Sequence, residues 1–228
     1  METQDNIFAR SEGDRWFERN AGALQRFNPA EDTPLKLMQF YGVNPRSVLE
    51  IGAANGFRLA EIQRRSGARA VGVELSHQAI ADGRARFPLV TLVRGAANSV
   101  PLREAFDVVI VNFVFHWIDR AHLLRSVAET DRLLRDGGFL VIGDFYPSNH
   151  LQVPYHHLKT GSVLTFKQNY AEVFLSSGLY HPVCLMTAHH ASKKPDPEVT
   201  EDERIGTWLL RKELQRHYVN SEINRNHG

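Results

Sequence analysis

Apolar positions along this chain come in two rhythms that take turns. Short runs that are apolar on both sides of a pleat, "SVLEIG", "ARAVGVEL", "VTLVRG" and "FDVVIVNFVF", are each followed by a segment with helical spacing or by a turn. The helical segments are "FRLAEIQRRS", "SHQAIADGRARF" and "RAHLLRSVAETDRLLRD". Strands without a polar face must be covered on both sides, and their alternation with amphipathic helices predicts a mostly parallel sheet between two helix layers. "GGFLVIGDF" supplies a fifth strand, with Gly137 ending the helix before it. Beyond an irregular stretch, "FKQNYAEVFLSSGL" reads as a helix, and "YHPVCLMTAHH" and "RIGTWLLRKEL" read as two strands that can pair antiparallel at one sheet edge. The expected fold is α/β, doubly wound and Rossmann-like, with a seven-stranded, mostly parallel sheet, an antiparallel edge strand and lid segments.

Two stretches stand outside the alternation. Phe8 to Phe27 carries Phe8, Trp16, Phe17, Leu24 and Phe27 among charges, and Pro147 to Thr165 holds "HLQVPYHHLKTGSVLT". In open α/β sheets ligands sit beyond the carboxyl ends of the strands, where such extra segments can form a cover. The chain is therefore divided into an N-terminal helical lid (1–33), a ligand-binding core (34–146), a lid insertion (147–166), a helix and strands completing the same domain (167–214) and a tail (215–228).

The turn "GAANG" after the first strand carries the most specific chemistry. Gly52, Ala54 and Gly56 alternate before a helix, and small residues there let a ligand approach the backbone closely. A dinucleotide fingerprint would place its third glycine one residue later, where Phe57 stands, which disfavours a nicotinamide-dependent oxidoreductase. Glu74, at the end of the next strand, can accept two hydrogen bonds from a ribose diol.

Together "VLEIGAANG", "VGVELS", "VRGAANSVPL", "FDVVIVNFVFHWID" and "LLRDGGFLVIGDF" resemble the successive motifs of the class I S-adenosylmethionine-dependent methyltransferases, in order and in register from Ser47 to Phe145. The resemblance implies S-adenosyl-L-methionine as cofactor. It places Glu50, Gly52, Ala53, Ala54 and Gly56 under the methionine part, with Glu50 helping to orient its ammonium group, Glu74 and Leu75 at the ribose, Ala96 and Ala97 at the adenine edge, and Asn112 and Phe113 beside the transferable methyl. Ala54 replaces the usual middle glycine, and Ala96 stands where an adenine-contacting acid is common, with Asn98 as a candidate substitute. A non-catalytic nucleotide-binding or partner module of the same fold therefore stays open.

His116 follows a buried strand at the sheet's carboxyl edge, where an imidazole can act as a general base for a hydroxyl acceptor or serve as a wall. Trp16, His116, Trp117, Tyr155, His156, His157 and Tyr170 are the candidate acceptor-pocket residues. Adjacent side chains of extended chain diverge, and His156-His157 has no second ligand at a recognisable spacing, so no metal site is expected.

Composition narrows the acceptor. A net charge of +1 over 228 residues, with arginines scattered among acids, shows no basic arm for nucleic acid and no membrane-surface patch. The expected acceptor is a small molecule, with a hydroxyl of a sugar-containing or aromatic metabolite favoured; the pattern does not exclude a homodimer. A lone cysteine, Cys184, fits a reducing compartment, and the polar, acidic start "METQDNIFARSEGD" lacks a leader's apolar run, so a cytoplasmic location is expected.

Overall fold

The computed structural model describes residues 3–158, 163–192, 194–195, 198–216 and 218. Its main sheet has seven strands: β1 (Ser47–Ile51), β2 (Arg69–Glu74), β3 (Thr91–Arg94), β4 (Phe106–Asn112), β5 (Leu134–Phe145), β8 (Tyr180–His189) and β9 (Arg204–Lys212). They lie in the order β3-β2-β1-β4-β5-β9-β8. The first five run parallel, while β9 pairs antiparallel with both β5 and β8. A separate ribbon joins β6 (Leu151–Pro154) to β7 (Leu164–Lys167).

The central strands bury both of their faces. In β4, Val109 and Val111 belong to one apolar cluster and Val108 and Ile110 to the other. In β1, Leu49 and Ile51 face the first cluster and Val48 the second, so the strict two-residue period puts Glu50 on the second side with Val48. That side is covered by α3 (Thr33–Phe40), α4 (Phe57–Ser66) and α5 (His77–Arg86), through Leu35, Leu59 and Ile80. The other side carries α6 (Leu123–Arg132) and α7 (Ala171–Leu175). Because β1 lies between β2 and β4, the strand order reverses beside it, and a crevice opens at the carboxyl ends of β1 and β4.

The N-terminal stretch forms α1 (Gln4–Ile7), one π turn (Phe8–Glu12) and α2 (Gly13–Gln25). The backbone stays in the right-handed helical region through both junctions, so the three read as one helix with a widened turn. It crosses the carboxyl edge of the sheet. Gln4 bonds the carbonyls of Trp117 and Leu164, Asp5 accepts from the amide of Asp119, and Asp14 accepts from Ser76 Oγ.

Three local expectations are corrected. The helix before β5 stops at Arg132, because Leu133 and Leu134 are drawn under the sheet and Leu134 pairs with Phe106. Gly137, with φ of 71°, therefore lies in an irregularity of β5 rather than at a helix end. The segment starting at Phe166 begins as strand, with only Ala171–Leu175 helical, and part of the stretch after Pro147 is the β6–β7 ribbon. In β7 the inward residues are Thr165 and Lys167, so the polar positions are the buried ones and the pattern inverts the usual strand signal.

Close approach beneath the crevice depends on Gly83 in α5. A Cβ there would stand 2.3 Å from the carbonyl oxygen of Asn55, in the loop after β1. Gly83→Ala is expected to cost about 1–3 kcal/mol by overpacking, lowering the thermal midpoint by several degrees in calorimetry. Gly22→Ala, in α2 with only Arg26 nearby, is expected to leave it unchanged or raise it.

Candidate functional site

The turn after β1 is shaped by three successive left-handed positions, Gly52 at φ of 74°, Ala54 at 48° and Gly56 at 80°. At Gly52 a side chain is barred twice, since a Cβ would also lie 2.4 Å from Val114 Cγ2 in the loop after β4. Ala54 holds the same backbone region at a cost of about 1–2 kcal/mol, which its surroundings offset. Its amide donates to Glu74 Oε2 at 2.8 Å, while Glu74 Oε1 accepts from the amides of Leu75 (2.8 Å) and Ser76 (2.9 Å). Glu74 thus ties the loop after β1 to the loop after β2. Burial pushes its carboxyl above the usual range, although the three amide hydrogen bonds oppose the rise.

Beneath this turn lies a buried ion cluster. Arg58, in the first turn of α4, forks onto Asp32 with Nε to Oδ1 at 3.0 Å and Nη2 to Oδ2 at 2.8 Å, and its Nη1 meets Glu50 Oε1. Asp32 also caps α3 by accepting from the Leu35 amide. Glu50 Oε2 is buried with no hydrogen-bond partner. Burial pushes the Glu50 carboxyl up to about 7; the adjacent guanidinium opposes this, and Asp32 and Glu74 add repulsion. Asp32 and Glu50 hold the Arg58 charge more firmly despite its burial.

Across the crevice, β4 ends at Asn112 and leads through Phe113, at φ of 57°, into a tight turn over Phe115–Trp117. Asn112 turns toward β5, where its Oδ1 occupies the place a side chain on Gly143 would need. His116 is buried, with Nδ1 2.9 Å from Asp144 Oδ1 but off the line of a good hydrogen bond. Its amide also donates to Asp144 Oδ2 at 3.3 Å. Around the imidazole stand Phe113 (5.9 Å between ring centres), Trp117 (4.3 Å) and Phe145 (5.3 Å). Trp117 donates its indole N–H to Thr165 and packs against Phe8 and Tyr155. Tyr155 bonds Glu12, a fully buried acid of the N-terminal helix, and accepts from Arg19.

Some of the residues expected from sequence converge and others do not. Glu50, Gly52, Ala53, Ala54, Gly56, Glu74 and Leu75 border the β1 and β2 ends of the crevice, and Gly13 of α2 packs against Leu75 and Ser76. Ala96 and Ala97 follow β3, and Ala96 makes an isolated bridge to Ser99. Asn98 donates to Asp5, so its side chain fastens the N-terminal helix. Tyr170 lies in the core behind Phe115, with its hydroxyl bonded to the Phe166 carbonyl at 2.5 Å and to Arg120, and burial pushes that hydroxyl's pKa up. Trp16 is half-buried on α2. His156 and His157 are exposed, and their rings sit 3.9 Å apart instead of diverging, because Tyr155–Leu158 is a turn closed by Leu158 N–H to the Tyr155 carbonyl. Among the described residues no three His, Cys, Asp or Glu side chains gather as a metal site. No described helix is long and apolar enough to cross a membrane.

Sequence reading missed Asp144 as the partner of His116, and Arg58 and Asp32 as partners of Glu50. An acid directly after the fifth strand's apolar run is a usable signal for the first. Asp32 lies 26 positions from Arg58 on another element, and no local pattern announces that pair.

The residues present fit S-adenosylmethionine. The left-handed turn carries only small side chains at Gly52, Ala53, Ala54 and Gly56, Glu50 leaves a buried carboxylate oxygen unpartnered, and Glu74 Oε2 keeps acceptor capacity for a hydroxyl.

Comparison with known proteins agrees with that chemistry. A family model described as a methyltransferase domain matches residues 49–142. A Synechocystis protein named as an uncharacterized methyltransferase is 29% identical over 59% of this chain and 62% of its own length. A Mycobacterium tuberculosis protein named as a probable S-adenosylmethionine-dependent methyltransferase is 26% identical over 85% of this chain and 69% of its own length. The chain thus spans about two thirds of the length of these two relatives. Among solved structures, the Burkholderia thailandensis 1,6-didemethyltoxoflavin-N1-methyltransferase, with its substrate and S-adenosylhomocysteine bound, superimposes with a TM-score of 0.65 at 19% identity, covering 92% of this chain and 87% of that one. The Bradyrhizobium japonicum N-methyltransferase NodS superimposes with a TM-score of 0.58 at 15% identity, covering 92% and 99%.

Glu50 makes the stability of the unliganded protein depend on pH. Its folded-state carboxyl at about 7 lies above the ordinary 4.5, so the folded protein keeps a proton the unfolded chain has lost. This contribution is fully present below about pH 4.5 and is lost as pH rises through about 7. Thermal midpoints measured from pH 5 to 8 should fall less steeply in Glu50→Gln than in the wild type.

Proposed function

Because this chain belongs to the class I S-adenosylmethionine-dependent methyltransferase family, with S-adenosyl-L-methionine as its cofactor, we propose that it methylates a hydroxyl of a small aromatic or sugar-containing molecule. The observation that carries this reading is the buried pair of His116 and Asp144 inside a ring of aromatic side chains. Bound in the crevice, the cofactor supplies an electrophilic methyl group on a sulfonium.

What the chain adds is orientation, exclusion of water and custody of one proton. A hydroxyl becomes a competent nucleophile as its proton leaves, and a neutral imidazole can take that proton. Asp144, 2.9 Å from His116 Nδ1, favours the tautomer with the proton on Nδ1 and leaves Nε2 to act as the base. The imidazolium that results is stabilised by the same carboxylate. Burial of both groups strengthens that attraction by lowering the local dielectric.

Phe113, Trp117 and Phe145 give the acceptor side apolar walls, which suit a flat or ring-shaped molecule. The described parts of 1–33 and 147–166 act as its covers within a single domain built from the described parts of 34–146 and 167–214. They meet at Gln4 with Leu164 and at Glu12 with Tyr155. The two solved relatives described above are N-methyltransferases by name. An amine acceptor, once deprotonated, carries its own nucleophilic lone pair, so a dedicated buried dyad favours oxygen here.

Transfer of labelled methyl from S-adenosylmethionine to a panel of hydroxylated aromatics, sugars and matched amines tests the proposal. His116→Ala and Asp144→Asn should each lower turnover by about 10²-fold or more while S-adenosylhomocysteine affinity stays within about twofold. Unchanged turnover in both variants, or transfer to the amines alone, would contradict it.

Glu74→Gln should weaken S-adenosylhomocysteine binding by about tenfold or more, because one charge-assisted acceptor is lost. Calorimetric titration reads this directly, and unchanged affinity would remove Glu74 from the ligand's contacts.

A further inference from the structure

The cluster of Glu50, Arg58 and Asp32 is out of electrical balance. Its side chains are 1%, 6% and 7% exposed, and two carboxylates share one guanidinium. A buried excess charge is costly unless something neutralises it. Asp32 has no spare role, since its oxygens take Arg58 Nε and Nη2 and the Leu35 amide. Glu50 Oε1 is taken by Arg58 Nη1, and Oε2 is the oxygen left without a partner. The unbalanced charge therefore collects at Glu50 Oε2, next to the left-handed turn.

The cluster is also fixed mechanically. Phe57, which precedes Arg58, packs edge-on against Phe27 at 4.5 Å, and Arg58 reaches Asp32. Two consecutive residues at the start of α4 are thus anchored to the chain that leaves α2 and enters α3. This gives Phe57 a structural reason to stand where a dinucleotide-binding turn would carry glycine.

We infer that Arg58 and Asp32 are positioning residues that present Glu50 to the ammonium group of the cofactor's amino-acid part, so that they set selectivity for ligands carrying that group. The inference rests on the cofactor assignment above and deepens it. An ammonium at Glu50 Oε2 brings the cluster to neutrality and gives the orphan oxygen its donor. Arg58 holds the carboxylate's other oxygen, so the free one has a fixed direction, and Asp32 holds Arg58.

Proton linkage follows from the groups that face Glu50, namely Arg58 from α4, Asp32 from the segment before α3 and Glu74 from β2. With its carboxyl pushed up to about 7, Glu50 is partly protonated in the unliganded protein near neutrality, and an incoming ammonium favours the ionised form. Binding of a ligand with the ammonium group should release protons, and its affinity should fall as pH drops below about 7.

The test compares S-adenosylhomocysteine with 5′-methylthioadenosine, which has no amino-acid part. Both are titrated calorimetrically at pH 6.5, in two buffers of different ionisation enthalpy, into the wild type, Arg58→Met, Arg58→Lys and Asp32→Asn. In the wild type, S-adenosylhomocysteine should release a fraction of a proton and methylthioadenosine none. Arg58→Met should weaken S-adenosylhomocysteine by about tenfold or more and methylthioadenosine by less than about twofold. Arg58→Lys should regain part of the loss, and Asp32→Asn should shift it in the same direction as Arg58→Met. Equal weakening of both ligands would mark Arg58 as merely structural and overturn the inference, as would an unchanged S-adenosylhomocysteine affinity. A wild type that binds methylthioadenosine but shows no proton release with S-adenosylhomocysteine would overturn it while leaving the cofactor assignment standing. Binding of neither compound would overturn that assignment and the inference with it.

Discussion

A single carboxylate holds the ligand-facing edge of this protein in shape. Glu74 accepts the amides of Ala54, Leu75 and Ser76, so the loops after β1 and β2 are fastened to one acid. Without that bond the left-handed Ala54 would relax toward ordinary backbone, since alanine has no intrinsic preference for φ of 48°. Fold and loop strain meet at this residue, because the acid that shapes the turn also ends β2 and fastens the loop that follows it.

The second organising feature is the N-terminal helix. It touches the loop after β2 through Gly13 against Leu75 and Ser76, the loop after β3 through Asp5 with Asn98, and the segment after β6 through Glu12 with Tyr155. One element therefore ties together three loops along the carboxyl edge of the sheet. Its widened turn over Phe8–Glu12 directs Phe8 toward Trp117 and buries Glu12 beside Tyr155. Hydrogen bonds from Gln4, Asp5, Glu12 and Asp14, the Asp5–His122 ion pair and the packing of Phe8 on both Trp117 and Tyr155 fasten the helix along that edge.

The sheet was legible because its signal is local and repeated. Apolar runs in β1, β2 and β4 and the glycines between them admit few other architectures, and the resemblance of the motifs from Ser47 to Phe145 to a known family implied the cofactor. The β6–β7 ribbon was not legible, because Thr165 and Lys167 point inward and invert the usual signal. Tyr170 read as a pocket residue because a tyrosine near a lid is chemically plausible. Only the packing of Phe115 and the Phe166 carbonyl shows it to be core. Asp144 left a local signal, an acid directly after the fifth strand's apolar run, whereas the Arg58–Asp32 fork joins elements 26 positions apart and no local pattern announces it.

S-adenosylmethionine and its product are expected to occupy the crevice between the carboxyl ends of β1 and β4, under the N-terminal helix. Hydrogen exchange followed by mass spectrometry, with and without S-adenosylhomocysteine, tests it most directly. Occupancy there should slow exchange in the loops after β1, β2 and β3, around residues 52–57, 75–77 and 95–98, and across the helix from Gln4 to Gln25. Protection confined to other parts of the chain, or none at saturating ligand, would contradict it.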